Sequence, residues 1–174
     1  MSQLTTDQLI SLLTEYVHVT GGSVDLILVG GLALQAYGAP DRTTQDIDGE
    51  FIGDLTGLIQ FLTDRHVPAD LGANISGWSV IAMPPGYRER ASMLVDRPKL
   101  RIRLLAPTDF IIAKLRRGTE LDLDDAAWVA GRFQVASEAI AAAAESAVSA
   151  SPQDTMLFVF NKTVDLFCQR MTGR

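Results

Sequence analysis

At 174 residues, with 47% hydrophobic and 21% charged residues, the chain is long enough for one domain with its own core and too apolar to be largely disordered. A net charge of −6 argues against broad electrostatic binding to a nucleic-acid backbone, leaving only a local basic patch for that purpose. The lone Cys168 excludes an internal disulfide and reads as a small core residue. The first fifteen residues lack a basic leader, and nowhere do about 18 uncharged apolar residues follow one another, so neither a secretory leader nor a membrane span is expected and the expected location is cytoplasmic.

In chain order, Thr5 or Thr6 can cap a first helix whose apolar residues Leu9, Ile10, Leu12, Leu13 and Val17 recur at helical spacing until Gly21-Gly22. Val24 to Val29 then reads as a strand that passes through Gly30-Gly31 straight into a helix over residues 32–37. Gly38-Ala39-Pro40 breaks that helix. A polar loop from Asp41 to Gln45 leads into a strand over 46–52, whose period-two pattern places Asp46, Asp48 and Glu50 on one face.

A helix is expected over Leu55 to Arg65 and a strand over Ser76 to Met83, with Tyr87 to Val95 undecided. In the strand from Lys99 to Leu105, Lys99, Arg101 and Arg103 share one face and Leu100, Ile102 and Leu104 the other. Pro107 opens a helix that Gly118 stops. Acidic residues at 122–125 begin the next helix, an alanine-rich one runs from about Ser137 to Val148, and Ser151-Pro152 opens the last.

The expected fold is therefore α+β, a mixed β-sheet core with helices and an all-helical C-terminal third. Residues 1–120 form the core and 121–174 a helical region packed on it as one compact unit.

Three features could carry chemistry. A strand that delivers Gly-Gly into a helix start can bring backbone amides close to an anion, though the pair also serves simply as a tight turn. The sequence fits neither of the familiar glycine-rich phosphate loops. Two carboxylates at i and i+2 of a strand, Asp46 and Asp48, can share a divalent cation such as magnesium, with Glu50 as a third oxygen donor. The same pattern also suits a wet edge strand, and Glu50 near the strand end can equally be solvated. Lys114, Arg101 and Arg103 could neutralise phosphate charge, while Lys99, Arg101 and Arg103 also read as a solvated strand face. Arg42 either orders the loop into Asp46 or makes a salt bridge.

Calcium-loop, zinc and serine-hydrolase readings fail. The ligand series of a calcium loop is absent, His18 and His66 stand far apart with no ligand at zinc spacing, and no G-x-S-x-G elbow is present.

Leu28-Val29-Gly30-Gly31-Leu32-Ala33-Leu34, then Arg42-Thr43-Thr44-Gln45-Asp46-Ile47-Asp48, then residues 107–115 with Lys114-Leu115 and the acidic stretch 122–125, come in an order that resembles the nucleotidyltransferase superfamily with the polymerase-beta-like fold. Within it, the sequence is similar to the bacterial group that includes abortive-infection toxins. The resemblance implies that Gly30 and Gly31 hold a nucleoside triphosphate and that Arg42, Thr44, Arg101 and Arg103 assist in nucleotide binding. It also implies that Asp46 and Asp48 bind Mg2+, that Lys114 contacts phosphate, and that Asp122 acts as a base or orients the acceptor.

The implied reaction moves a nucleoside monophosphate to a hydroxyl on an RNA end or a protein, with an antitoxin protein as a further partner. Two departures stand out. The later strand that in many members carries a third carboxylate is matched here to the basic strand 99–105, and Thr119 stands where an arginine often precedes the acidic pair. A catalytically degraded module that only binds nucleotide or a partner is the alternative, and a structural role for the helical C-terminal third is a further one.

Overall fold

The computed structural model describes residues 3–39 and 42–173. Pro40 and Asp41, at the expected helix break and the start of the polar loop, lie outside the described residues. The architecture is α+β, with a five-stranded mixed sheet and helices before, between and after its strands. Among the described residues no helix is long and apolar enough to cross a membrane.

The chain divides into two units, the first made of residues 1–74 and 91–104 and the second of 75–90 and 105–174. The division thus falls at Leu104/Leu105, rather than at the expected residue 120, and residues 75–90 belong with the C-terminal helices.

The first unit opens with α1 (Thr6–Thr20). Thr5 and Gln8 form a reciprocal capping box, and Gly21 ends the helix in the left-handed conformation at φ 69°. The sheet is formed by β1 (Val24–Leu28), β2 (Ile47–Ile52), β3 (Ala69–Gly72), β4 (Ser92–Arg97) and β5 (Leu100–Leu104), in the order β3-β2-β1-β5-β4. β1 pairs antiparallel with β2 and parallel with β5, while β3 runs parallel to β2 on one edge. α2 (Gly31–Ala36) joins β1 to β2, and α3 (Leu55–Asp64), capped by Asp54, joins β2 to β3. Tyr16 of α1 meets Phe61 of α3 edge-on, with ring centroids 5.2 Å apart.

Register sorts the side chains of this sheet. Asp25 lies opposite Ile52 and Arg101, and Ile27 opposite Glu50 and Arg103, so one face carries Asp25, Asp48, Glu50, Arg101 and Arg103. The other carries Leu26, Leu28, Ile47, Phe51, Leu100, Ile102 and Leu104, all buried. Lys99 is not on either face. It occupies the β4–β5 turn after Pro98 at φ 63°, and its Nζ donates to the Gly21 carbonyl at 2.9 Å.

The second unit contains α4 (Tyr87–Arg90), α5 (Pro107–Arg117), α6 (Glu120–Phe133), α7 (Ser137–Ser149) and α8 (Met156–Thr172). Its core is Phe110, Ile111, Ile112 and Leu115 of α5 with Val129 and Ala130 of α6, Ile140, Ala144 and Ala147 of α7, and Phe160, Val164 and Phe167 of α8. Asp109, buried in α5, is held by Arg90 Nε and Nη2 at 2.9 and 2.8 Å.

The strand expected over 76–83 is absent. A 3-10 turn occupies Ile75–Trp78, and the amides of Ile81, Ala82 and Met83 donate to the hydroxyls of Ser79, Ser151 and Ser76. Serine oxygens take the donors that a strand ladder would have used. Nor does Ser151-Pro152 open the last helix. Ser151 Oγ donates back to Ala147 O at the end of α7, and α8 begins at Met156, whose amide donates to Asp154 Oδ1.

Candidate active site

In the first unit, the glycine pair and the D-x-D motif are packed into one another. Gly30 is buried, and a Cβ built on it would lie 1.8 Å from Asp48 Oδ2. A Cβ on Gly31 would lie 2.7 Å from Thr44 Cβ. Contacts this short between non-bonded atoms do not occur, so each glycine is the only residue that lets its partner side chain lie where it does. The volume that sequence reasoning reserved for a phosphate is, at Gly30, filled by the Asp48 carboxylate.

Thr44 in turn donates its hydroxyl to Asp46 Oδ1 at 2.7 Å and orients that carboxylate. The loop holding both is tied down by Gln35 of α2, whose Nε2 donates to the carbonyls of Arg42 at 2.9 Å and Leu4 at 3.0 Å. Leu4 N donates to Thr44 O at 2.8 Å. Arg42 thus has its backbone carbonyl in this network.

Asp46, Asp48, Thr44, Gly30 and Gly31 are therefore neighbours in one unit. Glu50 follows Asp48 on the same face but is fully buried, not solvated at the strand end. Among the described residues, no group of three or more His, Cys, Asp or Glu side chains stands ready to hold a metal ion.

Sequence reasoning missed Asp70. It lies on β3, paired in register with Asp48, so both side chains leave the same face of adjacent parallel strands, which run about 4.8 Å apart. The only signals for it were Pro68 and a lone acidic residue in a short segment. β3 and β1, not β5, flank the D-x-D strand.

The expected phosphate cations are engaged within their own units. Arg101 Nη2 donates to Asp25 Oδ2 at 2.9 Å, and Arg103 Nη2 to Asp25 Oδ1 at 2.7 Å. Arg90 on Asp109 and Lys99 on Gly21 are likewise engaged, each within its own unit.

In the second unit, Lys114 Nζ lies 2.8 Å from Asp125 Oδ2 and 3.3 Å from Asp122 Oδ1, with only 11% of its side chain exposed. Asp122 is fully buried. It accepts from Arg117 Nε and Nη2 at 2.6 Å each and from Thr119 Oγ1 at 2.6 Å, and the Thr119 amide donating to its Oδ2 at 3.3 Å, with its own amide donating to Thr119 Oγ1 at 3.2 Å, makes the capping box of α6. Burial alone would raise its pKa, but the hydrogen bonds from Arg117 and Thr119 and the charges of Lys114 and Arg117 hold it down to about 2. A carboxylate so held accepts protons poorly at neutral pH, and Asp122 serves the α6 cap. Thr119, noted as a departure from the family pattern, is the N-cap of α6.

No curated protein and no solved structure matches the chain. The model of a family described as "Nucleotidyltransferase of unknown function (DUF6036)" matches residues 5–149, which take in every strand, the glycine seat and the Lys114–Asp122 cluster, and the chain belongs to that family.

Proposed function

We propose that the protein is a magnesium-dependent nucleotidyltransferase that moves a nucleoside monophosphate from a nucleoside triphosphate to an acceptor hydroxyl. The observation that carries this reading is the interlocked set Gly30–Asp48 and Gly31–Thr44–Asp46, joined to membership of the family. A polar threonine, two carboxylates and two glycines packed this tightly serve no purpose that a plain strand-to-helix turn requires.

The donors suit a hard cation, since carboxylate oxygens are the usual ligands of magnesium. Asp46 and Asp48 would hold it; Asp70, in register with Asp48 on β3, shares their face, and the three do not stand as a preformed cluster. When bound, the cation supplies charge neutralisation at the phosphates and a lowered pKa for the attacking hydroxyl. Gly30 and Gly31 keep the backbone at the turn free of side-chain bulk, and Thr44 fixes the direction of Asp46. The hydroxyl releases its proton to water, its oxygen forms a bond to the α-phosphorus as the bond to the bridging oxygen breaks, and pyrophosphate leaves.

Lys114 carries no net charge to this reaction, because Asp122 and Asp125 with Lys114 and Arg117 make a neutral set. The pairing of Arg101 and Arg103 with Asp25 and the net charge of −6 favour a protein or small-molecule hydroxyl over an RNA end as acceptor.

The test is incubation of the wild type and Asp46→Ala/Asp48→Ala with each α-labelled ribonucleoside triphosphate, magnesium and either total protein or total RNA. Label moved to protein by the wild type alone is the expected result, lost when the metal is chelated. Label on RNA overturns the acceptor assignment, and metal-dependent nucleotide binding without transfer favours the degraded-module reading. Growth arrest on expressing the wild type, but not the double variant, would place the activity among toxins with an antitoxin partner.

A further inference from the structure

We infer that Gln35 is a positioning residue that clamps the N-terminal segment 3–6 onto the 42–46 loop and so sets the Asp46 carboxylate; the inference rests on the reading of Asp46 as a metal ligand. One amide side chain makes three hydrogen bonds outside its own helix. Its Oε1 accepts from Thr6 N at 3.2 Å, and its Nε2 donates to Leu4 O and Arg42 O at 3.0 and 2.9 Å. The Leu4 amide then donates to Thr44 O, in the only isolated bridge recorded among the described residues. Thr44 passes the constraint to Asp46 through its hydroxyl, 2.7 Å from Oδ1.

Two of these links, to Leu4 O and Arg42 O, join segments with no regular structure of their own to α2, and the third joins the first residue of α1 to α2. Gln35 sits in α2, one helical turn beyond Gly31. The same short helix therefore offers the glycine that seats Thr44 and the amide that holds the loop on either side of it. Without Gln35, Leu4 O and Arg42 O lose their common donor, and this part of the loop is left with the Arg42 N–Ala39 O and Leu4 N–Thr44 O bonds to hold Thr44 in place for Asp46. Partners that orient a ligating carboxylate typically govern metal affinity by 10- to 100-fold.

Glutamine is needed for both ends of the amide. Gln35→Glu keeps the acceptor for Thr6 N, but turns both donors into an oxygen facing two carbonyls, with almost no change in shape. The experiment compares wild type, Gln35→Glu and Leu13→Val, a core change in α1 that removes one buried methylene-sized group. Two quantities are read: hydrogen exchange at the Leu4 amide, and the affinity for Mn2+ with each of the four ribonucleoside triphosphates, followed by the loss of free-Mn2+ signal.

In Gln35→Glu, faster exchange at Leu4 and an affinity about tenfold weaker are expected, with Leu13→Val changed in neither. Unchanged exchange at Leu4 overturns the clamp. Faster exchange with unchanged Mn2+–nucleotide affinity overturns its link to Asp46, as does an equal loss of affinity in Leu13→Val at a matched melting temperature. Should the wild type bind no Mn2+–nucleotide, the reading of Asp46 as a metal ligand falls and the positioning inference falls with it, while the exchange result still decides whether Gln35 holds the loop.

Discussion

Two acidic motifs, 76 residues apart from Asp46 to Asp122, meet different fates in this molecule. Asp122, in the second unit, is fully buried and accepts from Arg117, Thr119 and Lys114. Asp46, in the first, is half-buried and takes one threonine hydroxyl on Oδ1. In sequence both are aspartates beside a second acidic residue and downstream of a basic one. What separates them is the supply of internal donors: a carboxylate surrounded by cations and caps is already neutralised, whereas one oriented by a single neutral hydroxyl keeps its negative charge available to a cation.

Three changes break or sharpen that contrast. The largest effect is expected from Gly30→Ala, whose new methyl group would overlap Asp48 Oδ2 and push the carboxylate aside. Nucleotide transfer should fall about 100-fold, since displacement of a catalytic group by about 1 Å has that cost. The melting temperature separates this from general unfolding, because Gly131→Ala, at a helical glycine with open space around it, should leave both transfer and melting near wild type.

Next comes Asp122→Ala. Removing the carboxylate leaves Arg117 and Thr119 without their acceptor and should cost about 2 kcal/mol of stability through the lost cap and charged hydrogen bonds, read by chemical denaturation. An unaltered unfolding midpoint would show that the second unit does not depend on this cluster. The smallest effect is in the pH profile. The folded Asp122 has its pKa held below that of an ordinary carboxyl, so its stabilisation is complete above about pH 4 and is lost as the pH falls through about 2. That contribution, on the order of 1–2 kcal/mol, should vanish from the acid limb of the stability curve in Asp122→Asn.

Much of the fold is written locally. Pro107 and Gly118 bracket α5 within a residue, because proline fixes the first turn and glycine accepts the left-handed conformation at φ 66°. The D-x-D strand is legible from its period of two. What escaped sequence reading depends on groups distant in the chain. β3 is four residues long and gains its place by pairing with β2, so neither length nor alternation marks it. The apolar run 76–83 looks like a strand until three serine hydroxyls, one of them at 151, take its amides.

The candidate site shows the same division. Gly30, Gly31, Asp46 and Asp48 were visible as motifs, but the reason for the glycines was not, since a sequence cannot say which side chain will lie against a missing Cβ. Gln35 carried no signal beyond its helix propensity. Asp122 stood out by its charge, and only the fold reveals that Arg117 and Thr119, brought alongside by the left-handed turn at Gly118, have already claimed it.

The contact between Gly30 and Asp48 turns two positions eighteen residues apart into a single character. A side chain at 30 and a carboxylate at 48 compete for one volume, so neither can change alone without a change of backbone. Among relatives, any residue larger than glycine at the first position should therefore travel with loss of the aspartate at the second. That gives a way to sort chains that retain the chemistry from chains that keep only the fold, before any of them is purified.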